Sequence, residues 1–158
     1  SQQRQDKTTS PSMGTAGALC GFDSRLATPL MDANSLMRRQ QAASSGDPVA
    51  QFLMGWQLCN APEADALQLR QATRWFDVAA TKGHGASMAN LGRLYLRGQG
   101  VPQDYVLGYM WLTLAQSAGI SGVLDEGTAL RQRMTAAQIN EAQTRAEALW
   151  QQLHHRQN

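Results

Sequence analysis

Lysine is nearly missing from this chain: Lys7 and Lys82 are the only two, and the other basic residues are arginines. The 14 Lys and Arg residues stand against 12 Asp and Glu, a formal net charge of +2, so the surface carries no strong excess of either sign. No Lys/Arg cluster forms a stripe, and the aromatic and glycine signatures of common RNA-binding modules are absent, which excludes nucleic acid as the expected partner. No apolar run approaches the length of a membrane span. Catalytic patterns are missing as well. There is no GxSxG or HExxH, and Gly98-Gln99-Gly100 has neither a preceding strand nor a following Lys to make a phosphate loop. His84, His154 and His155 lack a third ligand at a defined spacing, so no metal site is expected. Neither Cys20 nor Cys59 sits in a nucleophile signature, and Asp125-Glu126 reads as a solvated acidic pair. A non-enzymatic protein without cofactors is the expectation.

What the chain does have is repetition. Gly46-Asp47-Pro48-Val49-Ala50-Gln51-Phe52-Leu53-Met54-Gly55 is echoed 37 residues later by Gly83-His84-Gly85-Ala86-Ser87-Met88-Ala89-Asn90-Leu91-Gly92. A second phrase, Trp75-Phe76-Asp77-Val78-Ala79-Ala80, returns 36 residues later as Trp111-Leu112-Thr113-Leu114-Ala115-Gln116. A period in this range marks a helix-pair unit that cannot bury its apolar face alone and must stack on its neighbours.

Start and stop signals divide the array. Thr28-Pro29 predicts a helix start, with Leu30, Ala33, Leu36, Met37 and Ala43 as its apolar stripe up to Gly46. Asp47-Pro48 repeats that signal for a helix to about Leu58, and a further helix runs from Asp65 to Lys82. Ala86 to Arg97 ends at the Gly98-Gln99-Gly100-Val101-Pro102 turn, whose glycines can take positive φ, and Asp104 caps a return helix to Ala118. Beyond Gly119 the pattern decays: Val123, Leu124, Ala129 and Leu130 keep a helical stripe to Met134, while Thr128 stands where the repeat wants its glycine. Thr135-Ala136-Ala137-Gln138 is a capping box opening a final, half-polar helix.

Ala86 to Gly119 resembles the Sel1-like repeat, a tetratricopeptide-related helix pair, at Leu91, Gly92, Tyr95, Gly98, Gly100, Val101, Asp104, Trp111, Ala115 and Gly119. The first unit departs from the pattern, with Gln57-Leu58-Cys59 where the Tyr would fall and Cys59-Asn60-Ala61-Pro62-Glu63 in place of the glycine loop. Gly108 and Ser117 also replace two of the family's alanines. The resemblance implies an all-α fold: a short right-handed superhelical solenoid of about two full repeats, at 47–83 and 84–119, with degenerate flanking helices and closing helices over 121–157. Residues 28–158 form this domain, and 1–27 read as a Gln/Ser/Thr-rich tether carrying Cys20.

Gly55 and Gly92 are expected where paired helices approach closely, with Trp75 and Trp111 as packing residues. The residues that the repeat does not dictate line the inner face of the first helices, which counting from the glycines assigns to Phe52, Trp56, Arg93, Leu96 and Arg97. The competing reading puts Phe52 and Trp56 under the amino-terminal segment, with Arg93 and Arg97 as solvated charges. Two readings of the start stand side by side: a plain boundary, or a processed lipoprotein whose lipid anchor lay upstream of Ser1. Cys20 and Cys59 form one disulfide if the protein is periplasmic or secreted, closing a loop that chain entropy values at roughly 3–4 kcal/mol. In a cytoplasmic protein they are two small buried hydrophobes. The resemblance implies a protein-binding adaptor for an envelope protein or another partner. The alternatives are an immunity protein that occludes a secreted bacterial toxin, and an accessory enzyme with a concealed site.

Overall fold

The computed structural model describes residues 33–157, so the tether at 1–27, Cys20 and the expected helix start at Thr28-Pro29 lie outside the described residues. Within them the chain forms seven helices and no strand: α1 (Ala33–Ser44), α2 (Pro48–Cys59), α3 (Ala66–Ala80), α4 (Gly85–Arg97), α5 (Tyr105–Ser117), α6 (Val123–Arg131) and α7 (Ala136–Gln157). The pairs α2/α3 and α4/α5 are the two units read from the sequence. Each pair packs internally, α3 packs on α4 to join the units, and α5 carries both α6 and α7.

Local chemistry sets the boundaries. Asp47 accepts the Val49 N–H at 3.2 Å and Pro48 opens α2. Asp65 and Gln68 close a reciprocal capping box on α3, with bonds of 2.8 and 3.0 Å. Asp104 accepts the Leu107 N–H at 3.0 Å. Thr135 and Gln138 do for α7 what the sequence predicts, at 2.9 and 3.1 Å. Gly98 ends α4 in the left-handed region (φ 67°), a conformation that costs a side chain with a Cβ far more than it costs glycine.

The core runs through both pairs. Phe52, Phe76, Met88, Leu91, Leu94, Leu112 and Leu114 are all but fully buried, and Ala72, Ala80 and Ala115 fill the spaces between them. At the glycines the helices come as close as the sequence implies. A Cβ on Gly55 would stand 2.7 Å from the Phe76 ring, and one on Gly92 would meet the Gly108 carbonyl oxygen at 3.0 Å and Leu112 at 3.1 Å. Gly108, one of the departures from the repeat pattern, faces Gly92 in return, so this crossing is backbone against backbone. Of the two tryptophans expected as packing residues, Trp111 is buried and Trp75 only half-buried.

Beyond Gly119 the structure corrects one reading. Leu124, 59% exposed, and Ala129, also exposed, are not part of the buried stripe, leaving Val123, Gly127 and Leu130 as the buried residues of α6. Gly127 lies against Tyr109, where an added Cβ would make an ordinary 3.5 Å contact. Lacking a tight glycine crossing, α6 is held by α5, and α7 packs on α5 as well, burying Ala142, Ala146 and Leu153.

His84 occupies in the second unit the place of Asp47 in the first, and it too is an N-cap. Its Nδ1 lies 3.3 Å from the Ser87 N–H and 2.9 Å from Ser87 Oγ, while its ring rests on Phe52 at a centroid distance of 5.0 Å. This cap requires the neutral tautomer with a free lone pair on Nδ1. Burial pushes the His84 pKa below its ordinary value, against a smaller upward pull from Asp47. A histidine held neutral in the fold contributes stability above its unfolded pKa near 6.5 and loses that contribution as the pH falls below it. Between pH 7.5 and 5.5 the melting temperature of the wild type is therefore expected to fall more steeply than that of His84→Asn, which keeps the cap without titrating. Parallel melting curves for the two proteins would remove His84 from this role.

Candidate protein-binding groove

The first helices of successive pairs, α2, α4 and α6, carry the face from which the sequence predicts binding. The five residues assigned to it do not share a common fate. Phe52 is 1% exposed, its ring packed against Phe76 at 5.8 Å, so it is a core residue and not a contact residue. Counting from Gly55 went astray because the side of α2 that carries Phe52 faces α3 and the His84 turn, and a bulky aromatic there is enclosed by both. Trp56 is half-buried against the core, and its carbonyl accepts two bonds from Asn60, at 3.0 and 3.1 Å. The amino-terminal segment invoked by the competing reading lies outside the described residues.

Arg93, Leu96 and Arg97 do come together, along the edge of α4 that faces α6. Arg93 is not free to bind. Its guanidinium grips Glu126 through Nε (2.7 Å) and Nη2 (2.8 Å), and Nη1 donates to Asn90 Oδ1 at 2.9 Å. That bidentate pair spans 33 residues of chain and joins α4 to α6, so Glu126 is a structural partner and not the solvated acid that its sequence context suggests. Nothing local in the sequence marks it.

Beside this strut lies an open groove of about 490 Å3. Leu96 and Ala129 form its apolar floor with Leu130 buried beneath, Glu126 lies at the strut, and Gln103, Arg97 and Arg133 complete the lining. Arg97 and Arg133 are exposed. Gln103 closes the end of α4 by donating to the Leu96 carbonyl at 2.8 Å, which fixes the rim where the helix terminates. Arg133 and Leu130 were not among the sequence candidates, because the decayed repeat gives no register for α6.

Asp77 and Asp104 lie toward the opposite side of α4, leaving Glu126 as the acidic side chain in the groove lining. Tyr95, two positions from Arg93 and Arg97 and so on the other side of α4, has its hydroxyl pKa pushed up by burial first and then by Asp77 and Asp104. Asp77 itself is pushed up by burial. Elsewhere, the space between α5 and α6 amounts to about 40 Å3, room for little more than a water. Among the described residues no cluster of His, Cys, Asp and Glu has the arrangement of a metal site, and no helix is long and apolar enough to cross a membrane. Cys59 is buried at the end of α2 and is not a free thiol. Its expected partner Cys20 lies outside the described residues.

Comparison with known proteins agrees with the helix pairs. The Sel1 repeat model matches residues 48–84 and 85–119, one residue from the units read above. The chain carries two Sel1 repeats. Among solved structures, the Sel1 array is similar to a protective antigen of uropathogenic Escherichia coli strains displaying an SLR fold, at 26% identity and a TM-score of 0.65. That match covers 73% of this chain and 25% of the antigen. A Sel1 repeat protein from Oxalobacter formigenes is similar at 35% identity and a TM-score of 0.54, over 63% of this chain and 28% of that protein. This chain thus spans about a quarter of the length of each. None of the curated proteins compared with it matches. Sel1 repeats are generally protein-interaction modules and typically non-enzymatic scaffolds.

Proposed function

We propose that this Sel1-repeat chain is a non-enzymatic binding module that holds a partner protein along the first-helix face, centred on the groove between α4 and α6. One observation carries the reading: an apolar floor with two exposed arginines on its rim that have no ion-pair partner among the described residues, braced by the Arg93–Glu126 pair. A rigid pocket of this kind loses little conformational freedom when it is filled. Photo-crosslinking tests it. A benzophenone amino acid replacing Arg97 is expected to trap a discrete partner in cells, whereas the same residue replacing Arg74, exposed on α3, is not. Equal trapping at both positions, or none at 97, overturns the assignment of this face.

The localisation we propose is periplasmic or secreted, with Cys59 paired to Cys20. Support comes from the even cysteine count and from the absence of a free thiol at Cys59. Two alkylatable thiols in the intact protein purified without reductant would defeat it. A second reading is an immunity protein that occludes a secreted toxin, for which the groove braced by the Arg93–Glu126 pair would serve as a rigid contact face. Tight binding to the product of an adjacent toxin gene, with loss of toxicity, would select that reading over an envelope adaptor.

A further inference from the structure

We infer that the α4/α6 groove takes an acidic peptide segment of the partner, with carboxylates on Arg97 and Arg133 and an apolar side chain on Leu96 and Ala129. The inference rests on the protein-binding reading above and adds the chemistry of what is bound. It follows from a charge count within the groove. Arg93 and Glu126 cancel, and all three guanidinium nitrogens of Arg93 are occupied. Arg97 and Arg133 remain, neither in an ion pair nor in a side-chain hydrogen bond among the described residues. Two fork-shaped donors on the same rim match carboxylates, and a lysine-bearing segment would be repelled.

The other anionic occupants fit less well. A nucleic acid strand tracks a longer basic stripe and stacks on aromatic rings, and this groove has no aromatic residue in its lining. A small anion would want enclosed donors, whereas the rim arginines are solvent-exposed. The floor also asks for an apolar group: Leu130 is already buried beneath it, while Leu96 is half-buried and Ala129 exposed, a strip that an apolar side chain would cover. Because the rim is exposed, the attraction should weaken with added salt.

Fluorescence anisotropy with a labelled peptide of three Glu-Glu-Leu units tests this, with Gln-Gln-Leu and Lys-Lys-Leu peptides as controls. The acidic peptide is expected to bind saturably, about tenfold more tightly than the Gln-Gln-Leu peptide. Arg97→Glu with Arg133→Glu should weaken it by at least about tenfold, and Arg74→Glu by less than about twofold. Circular dichroism controls for folding, and the milder pair Arg97→Gln with Arg133→Gln replaces the double reversal if that variant does not fold. Equal binding of the acidic and neutral peptides, or equal loss with Arg74→Glu, overturns the inference. Absent peptide binding while position 97 still crosslinks a partner overturns the acidic specificity alone. Loss of both overturns the binding face with it.

Discussion

Phe52→Ala is expected to destabilise the protein by about 3–5 kcal/mol, the range for emptying a large aromatic from a closed core. For a chain of this size that is a fall of roughly 10–15 °C in melting temperature. The cause is geometric: the ring is enclosed by Phe76 and His84, and neither neighbour can move in without uncovering something else. Partner crosslinking at position 97 should persist at temperatures where the variant is still folded. Wild-type melting with lost crosslinking would be the opposite result, and it would return Phe52 to the binding surface.

Gly92→Leu has the next largest expected effect, about 3 kcal/mol, at the upper end of the overpacking range. The first added atom already meets a backbone carbonyl at 3.0 Å, and Gly108 has no side chain that could rotate away. The remaining leucine atoms would have to push α4 off α5 along a crossing where Gly92 and Gly108 face each other. Gly127→Ala is the control. Its Cβ would meet Tyr109 at 3.5 Å, so helix propensity should dominate and the variant should hold or gain about 0.5–1 kcal/mol. Thermal or denaturant melts of both variants test the pair together; a neutral Gly92→Leu would mean that the helices are not in this register.

Legibility differed sharply between fold and site, and the reason is the range of the interactions involved. Caps are local. Asp47, Asp65, Asp104 and Thr135 each bond to a backbone N–H two or three residues on, and so they could be read from neighbouring letters. His84 was overlooked as a cap because histidine is an uncommon choice there, although its repeat partner Asp47 marks the position. Phe52 was misassigned because periodicity gives a face relative to its own helix and does not say how many neighbours close over it.

By itself the sequence determined the period, the helix pairs, the glycine crossings and the absence of familiar catalytic patterns, since each of these follows from residues within one repeat length. The tertiary structure alone decided which arginines are spoken for. Arg93 and Glu126 meet across 33 residues because α6 leans on the α4/α5 pair after the repeat pattern has lapsed, and no rule of spacing carries beyond that point. The same docking brought Arg133 into the groove that Arg97 and Leu96 line. Charges exposed on separate helices become one site only when packing brings the helices together. That packing energy is distributed over Tyr109, Val123 and Leu130, buried residues whose letters say nothing of arginine.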